Sequence, residues 1–577
     1  MARPNEEVEA LLQEYADLIA ITGGDAFKQR AYERAARAIG RHAEDIATLD
    51  AKSLRAIPGV GRSIADKVEE YLRTGRVAAV EESRTAVPPG VRELMRVPTL
   101  GPKKAMTLYR ERGIASVDEL VTALRADGLD GLKGFGPKSR ENILHGIDVQ
   151  RQSGGRVLLD AATRLADEAV AGIARAPGCE RCAWAGSLRR MRETVGDIDL
   201  LAAADDPEPV MEAFTALPLV AEVIARGPTK TSVRTATGFQ LDLRVLPPDA
   251  WGAGLQYFTG SQAHNIRVRE IAVRKKLKLS EYGLFEAESG KRIAARTEEE
   301  VYERLGLPWI PPTLREDRGE VAAALRGELP EPVTEDDIRG DLHTHTDLTD
   351  GLDTLEDMVR AAAARGYAYY AVTDHAPELR MQRMTREKTL AQRERLRALD
   401  GEHRRMRLLH GTELNIDPEG NVDWPGDFLA GFDLCVASVH SHFGLDRDAQ
   451  TRRLIRACEN PYVNIIGHLT TRKIGRRAGI DVDLDAVFAA AARTGTAVEV
   501  NGHPNRLDPR DEHILLARRH GVRFSIDSDA HATAELGTMR FGVGTAQRGW
   551  LTKDEVINTW PLTRLRHFLK KGPKRRR

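Results

Sequence analysis

The sequence predicts a multidomain protein of mixed α and α/β class, on three observations. Glycine-punctuated helical segments fill the first part of the chain, a group of aspartates on strand-like runs follows between Asp197 and Asp242, and between Asp341 and His531 six apolar runs each end in a metal-binding side chain. At 577 residues the chain is long enough for four or five units, each with its own core.

In chain order, the first unit is helical. Ile57-Pro-Gly59-Val-Gly61-Arg-Ser-Ile64-Ala65 reads as a helix, a glycine turn and another helix, and the pattern returns in Val97-Pro-Thr-Leu-Gly101-Pro-Lys103-Lys-Ala105 and Leu132-Lys-Gly134-Phe-Gly136-Pro-Lys138-Ser-Arg140. Glycine there permits a tight turn and lets bare backbone N–H groups face an anion at the start of the next helix. The segments resemble helix-hairpin-helix motifs, which grip DNA phosphates without reading sequence. One such turn is weak evidence, because any αα connection can use glycine. Three in succession, each trailed by Lys or Arg, make DNA the expected partner.

The second unit centres on Trp184-Ala-Gly186-Ser187-Leu-Arg189-Arg190, then Gly196-Asp197-Ile-Asp199-Leu-Leu, then Leu241-Asp242-Leu-Arg-Val-Leu. Asp197 and Asp199 are two apart on a strand-like run, so both carboxylates project from one face, where Asp242 can join them from a neighbouring strand. Clustered acids repel one another and persist where divalent cations neutralise them; two Mg²⁺ or Mn²⁺ ions are the usual device for in-line displacement at phosphorus. Gly186 and Ser187, opening a helix, are expected to receive a triphosphate tail with Arg190 as charged donor.

A linker is expected over 319–340, rich in Glu and Ala and broken by Pro330 and Pro332; flexibility there would let the following unit move. That unit reads as a barrel. Short apolar runs bounded by polar residues are buried parallel strands, and ligands recurring every 27 to 38 residues allow a strand, a helix and two loops between them. All C-terminal strand ends of such a barrel converge on one rim, where His343, His345, Asp350, His375, Glu413, His440, His468, Asp529 and His531 can share a pocket. Nine nitrogen and oxygen ligands suit Zn, Mn or Fe and are too many for one ion.

Asp341-Leu-His-Thr-His345, Thr373-Asp-His375, Gly411-Thr-Glu413, Ser438-Val-His440, Gly467-His468 and Ser528-Asp-Ala-His531 resemble the ligand pattern of the PHP (polymerase and histidinol phosphatase) domain, over 341 to about 560. The resemblance implies a distorted (β/α)7 barrel hydrolysing phosphoesters with up to three Zn²⁺ or Mn²⁺ ions, and His442, Asn501 and Arg506 are further candidates near the phosphate. Residues 1 to about 318 resemble a family X DNA polymerase. This implies an N-terminal helix-hairpin-helix, lyase-like domain (1–84), fingers with two more such motifs (85–155), a nucleotidyltransferase α+β palm (156–250), a thumb (251–318), a linker (319–340) and the PHP domain with a basic tail (341–577). Tyr257-Phe258-Thr-Gly260-Ser261 matches the segment that meets the nucleotide sugar, Asn265 and Arg269 fall where the family contacts the incoming nucleotide and template, and Glu299 to Pro312 resembles the thumb's end. Lys28, Tyr32 and Lys67 fall where relatives dock a 5'-phosphate, Lys67 as the amine nucleophile of a lyase. Ser63 replaces a pocket lysine of vertebrate members, and Gln262 and Ile266 replace polar or charged groups.

Bulk properties add little. Eighty-six basic and eighty-six acidic residues cancel, so any basic surface is local. The stretch from Arg564 to Arg577 carries eight Lys or Arg and no acid and reads as a DNA-touching or solvated tail, and Cys179, Cys182, Cys435 and Cys458 form no disulfide framework. With no leader and no long apolar run, a cytoplasmic, nucleoid-associated monomer without membrane contact is expected. The expected function is a DNA polymerase that fills short gaps in base excision repair, taking dNTPs and gapped or primer-template DNA, with a 3'-5' exonuclease and, on the family resemblance, AP endonuclease activity in the barrel. The alternatives are a DNA-binding PHP nuclease with an inactive palm, which the intact acid triad opposes, and a small-molecule phosphatase, which leaves the hairpins unexplained.

Overall fold

The structure is a computed structural model that describes residues 4–571 except 23, 24, 41, 43, 44, 86, 96, 98, 99, 127, 130, 133, 137, 138, 141, 142, 145, 146, 148–154, 380–383 and 404. Lys138 and the last six residues therefore lie outside the described residues. Helices including Pro4–Ile21, Ala26–Gly40, Arg62–Thr74, Pro102–Arg112 and Val117–Arg125 build the N-terminal part. One apolar core runs through it from Val8 to Ile147, so the expected division at 84/85 falls inside a continuous core.

Strands β1 (Val157–Leu158) and β3 (Thr194–Val195) pair beside a five-stranded mixed sheet of order β2 (Arg181–Trp184), β4 (Ile198–Ala203), β7 (Gln240–Leu246), β6 (Lys230–Thr235), β5 (Val220–Arg226). Helices Leu159–Ile173 and Glu208–Thr215 share its core. Helices Trp251–Thr259 and Gln262–Arg274 lead into a small antiparallel sheet of β8 (Leu277–Ser280), β9 (Gly283–Glu286) and β10 (Arg292–Ala294).

The C-terminal unit is a seven-stranded parallel sheet in strict sequence order: β11 (Gly340–Asp341), β12 (Tyr369–Val372), β13 (Arg407–Asn415), β14 (Leu434–Ser438), β15 (Ile465–Ile466), β16 (Ala497–Asn501) and β17 (Phe524–Asp527). A parallel bridge between Thr344 and Ala530 joins first strand to last and closes the ring. Buried on both faces, the strands carry Val, Ile, Leu and Tyr without alternation. Two expectations are corrected. Leu562–Leu569, expected within a loose tail, is a helix whose Leu565 and Leu569 join Trp560 and Ile557 in the cluster filling the barrel interior. The expected flexible linker is folded: Glu320–Arg326 is a helix with Val321 and Ala324 in the thumb core, and Val333 is fully buried in the barrel core. Both errors have one physical cause, a short amphipathic segment in a charged stretch whose apolar partners lie far away in sequence.

Candidate metal centres

The barrel rim gathers every ligand the spacing marks. His343 and His345 follow β11, His375 follows β12, Glu413 lies in β13, His440 and His468 follow β14 and β15, and Asp529 and His531 follow β17. Three overlapping groups have donor atoms within 4.8 Å of one another: His345, Asp350, His375 and His531; His343, His345 and Asp529; His375, Glu413 and His440. Glu413 sits at the middle, 2.9 Å from His375 Nδ1, 3.1 Å from His440 Nε2, 3.0 Å from His468 Nε2 and 3.4 Å from His343 Nε2.

Partners behind the ligands set which ring nitrogen faces inward. Glu499 of β16 lies 2.6 Å from His343 Nδ1, Asn415 Oδ1 lies 2.7 Å from His440 Nδ1, and the Asp529 carbonyl lies 2.8 Å from His531 Nδ1. Asn501 donates to Asp529 and Glu499, which places it behind the ligands. Sequence reasoning missed Glu499 and Asn415; the signal was there in Val498-Glu499-Val500, an acid inside an apolar strand. His442 is exposed and bonded to Ser441, while Arg506 Nε stands 3.8 Å from Asp529.

The electrostatics match a cation-binding pocket. Burial would raise the Glu413 carboxyl, yet His440, His343 and His375 overcome it and hold it well below the usual range. Burial and the rings of His531 and His375 drive His345 down to about 4, and burial with Arg506 drives His468 down to about 3, so both offer lone pairs rather than protons. Among the described residues, His343 Nε2, both nitrogens of His345, His375 Nδ1 and Asp350 Oδ1 are buried and make no well-aligned hydrogen bond, although carboxylates crowd in to 2.9 Å. Orphaned buried donors and acceptors are costly, and this mixed nitrogen and oxygen set fits Zn²⁺ or Mn²⁺.

In the palm, parallel pairing of β4 with β7 sets Asp199 opposite Asp242. Asp197, just before β4, completes a triad within 4.8 Å. Lys230 Nζ lies 2.7 Å from Asp242; burial opposes ionisation there, and Lys230 with Gln240 outweighs it to hold Asp242 low. At Asp199 burial, Asp197 and Asp242 outweigh Lys230 and Arg190 and push it up to about 7. This imbalance is what a bound divalent cation would relieve. Gly186 has φ +58, and a Cβ there would stand 2.1 Å from Asp199 Oδ2, so no side chain fits. The helix it opens, Gly186–Arg189, is a single turn containing Ser187. Arg190 acts on Asp199 electrostatically while its Nε lies 3.0 Å from Glu316 and its Nη1 donates to the Thr259 carbonyl. Arg189, which sequence reasoning passed over, bridges to Glu298 with two 2.8 Å bonds. Asn265 donates to the Tyr257 carbonyl at 2.7 Å, Arg269 Nε donates to the Asn265 carbonyl, Tyr257 and Phe258 meet edge to face, and the Gly260–Ser261 peptide is cis.

Among the N-terminal groups, Gly61 and Gly101 cap the helices that follow them, Gly59 and Gly134 have positive φ, and no heavy atom of the described residues lies within 4 Å of a Cβ built at Gly61, Gly101 or Gly136. Those caps are open to the close approach of a phosphate, with Lys103 exposed beside one of them. Tyr32 is buried against Tyr15, and Lys28 and Lys67 lie over the rings of Tyr15 and Tyr32 at 5.7 and 5.9 Å. Lys67 Nζ also donates to the Ser63 carbonyl.

Comparison with known proteins gives four family matches: a helix-hairpin-helix domain over 3–77, a SAM-like helix-hairpin-helix tandem over 91–147, a DNA polymerase beta thumb over 254–316 and a PHP domain over 341–533. The "DNA polymerase/3'-5' exonuclease PolX" of Bacillus subtilis (strain 168) is 35% identical across 98% of this chain and 99% of its own length. A probable phosphatase of Thermoanaerobacter sp. (strain X514) is 29% identical over 40% of this chain and 94% of its own length. DNA polymerase lambda of Arabidopsis thaliana is 26% identical over 50% of this chain and 58% of its own.

Proposed function

The chain belongs to the PolX family of bacterial DNA polymerases with a C-terminal PHP domain, and from that premise we propose that it fills short gaps during base excision repair. It extends a primer at the palm and trims 3'-terminal nucleotides at the barrel rim. One observation carries the reading: two separate ligand clusters on one polypeptide, an all-carboxylate triad within 4.8 Å and a histidine-rich pocket of three overlapping groups, each within 4.8 Å. All-oxygen ligands suit Mg²⁺ or Mn²⁺ at Asp197, Asp199 and Asp242, and the mixed set from His343 to His531 suits up to three Zn²⁺ or Mn²⁺ ions. Such cations supply Lewis acidity and charge neutralisation for displacement at phosphorus.

The protein's own groups do the rest. Gly186 keeps the space beside Asp199 clear, and Lys230 keeps Asp242 ionised. The open glycine caps hold the DNA backbone by phosphate alone, which suits gaps of any sequence. Glu499 and Asn415 fix the ring faces of His343 and His440. With DNA as substrate, the enzyme works at the nucleoid as a cytoplasmic monomer, and no described helix is long and apolar enough to cross a membrane.

A labelled one-nucleotide gap tests this. Asp197→Ala with Asp199→Ala should abolish dNTP incorporation and leave Mn²⁺-dependent 3' trimming; His343→Ala with His375→Ala should do the reverse. Continued extension by the palm double variant would refute the assignment of the palm acids.

A further inference from the structure

Beyond His468 the chain turns through a tight hairpin, in which Lys473 and Arg477 exchange two 2.8 Å backbone hydrogen bonds around Gly475. The hairpin stands where three units meet. Ile474 packs against the palm core, and buried Arg472 pairs with Glu193 of the palm at 2.7 Å. Arg476 acts electrostatically on Asp17 of the first N-terminal helix. On the barrel side Lys473 feels the ligand Asp529, and Arg506 stands 3.8 Å from that carboxylate with Nη1 buried and unpartnered.

Cations predominate in the cluster, although Asp508 acts on Arg477, Asp529 on Lys473 and Asp17 on Arg476. Burial with Arg506, Arg477 and Arg476 pulls the Lys473 ammonium down to about 8, and burial with Arg506 pulls Arg477 down to about 10. Among the described residues Lys473 Nζ has no hydrogen bond or ion pair. An unpaired Lys473 ammonium among three guanidinium groups attracts an anion such as a backbone phosphate. Phe443 packs against the barrel core and carries the Arg477 guanidinium 4.1 Å over its ring, which holds that cation in place. Clustered Lys and Arg side chains bind nucleic acid through its backbone phosphates.

We propose that Lys473, Arg476, Arg477 and Arg506 form a cradle for the backbone of a single DNA strand whose 3' end enters the histidine-rich pocket. The inference rests on the nuclease reading of the barrel and names how that site takes its substrate. The cradle lies beside the palm and the first N-terminal helix.

The test uses the full-length Lys473→Ala/Arg476→Ala variant and a labelled single-stranded oligonucleotide. Affinity is measured across a salt series, and trimming is measured in Mn²⁺. The expected result is about tenfold weaker binding and a log–log salt slope shallower by about 1.4, two charges at about 0.7 each. The KM for trimming should rise in step, and Lys473→Arg should restore the affinity. An unchanged slope, or a fall in kcat at constant KM, would overturn the cradle. Wild-type protein that binds the oligonucleotide but fails to shorten it would instead sink the nuclease reading beneath it.

Discussion

At the scale of single residues, the structure turns on atoms that face a ligand because something behind them leaves no alternative. Gly186 is the sharpest case, since its Cβ would overlap the Asp199 carboxylate. Gly186→Ala should therefore cut dNTP incorporation by at least a hundredfold while trimming at the barrel stays within twofold, read by primer extension and 3'-end digestion on one preparation. Glu499 does for His343 what Gly186 does for Asp199. Glu499→Gln should weaken metal binding at the barrel about 10- to 100-fold, as loss of a ligand's supporting partner does, and a chelator-competition titration reads it. The ligands were legible in sequence because strand-end placement repeats; Glu499 left a signal as an acid inside an apolar strand, whereas Lys230 and Asn415 acquire their roles only from neighbouring strands.

At the scale of elements, the thumb shows how buried charge is balanced. Glu298, at the start of helix Glu298–Arg304, accepts bonds from Arg189, Arg315 and Trp309, and Arg315 is fully buried. Burial would raise the Glu298 carboxyl, but Arg315 and Arg189 bring it down to about 2 from its ordinary 4.5. The unfolded chain therefore binds the extra proton first, so the stability this carboxylate contributes is complete above about 4.5 and is lost as pH falls toward 2. That difference is worth on the order of 3 kcal/mol. Acid unfolding of the thumb should follow this window, and denaturant midpoints for Glu298→Gln should show a flatter dependence across it. The glycine turns and the barrel strands were readable because each is a local pattern. The helix Leu562–Leu569 was not, since its apolar face is recognisable only once the barrel interior it fills exists.

At the scale of the whole molecule, polymerase and hydrolase portions meet through a buried charge network. Arg548 of the helix Met539–Arg548 donates to the Arg190 carbonyl and to Glu316 at 2.8 Å and pairs with Asp511, while Arg318 reaches Asp511 and Glu512. Removing one partner strands the others, so Arg548→Ala should lower stability by about 3–5 kcal/mol, seen as an earlier denaturant midpoint. None of this was legible in a sequence where the partners lie hundreds of positions apart, which is why a hinge was expected at 319–340.

Leu507 and Phe541 of the barrel belong to the same apolar cluster as the palm strands, and Met191 of the palm lies against Gly544. A fragment severed between the two halves would carry a greasy scar on each cut face. Dissecting this enzyme into soluble modules would need those scars repainted with polar residues, and lineages that lost the hydrolase would have had to resurface the palm in the same way.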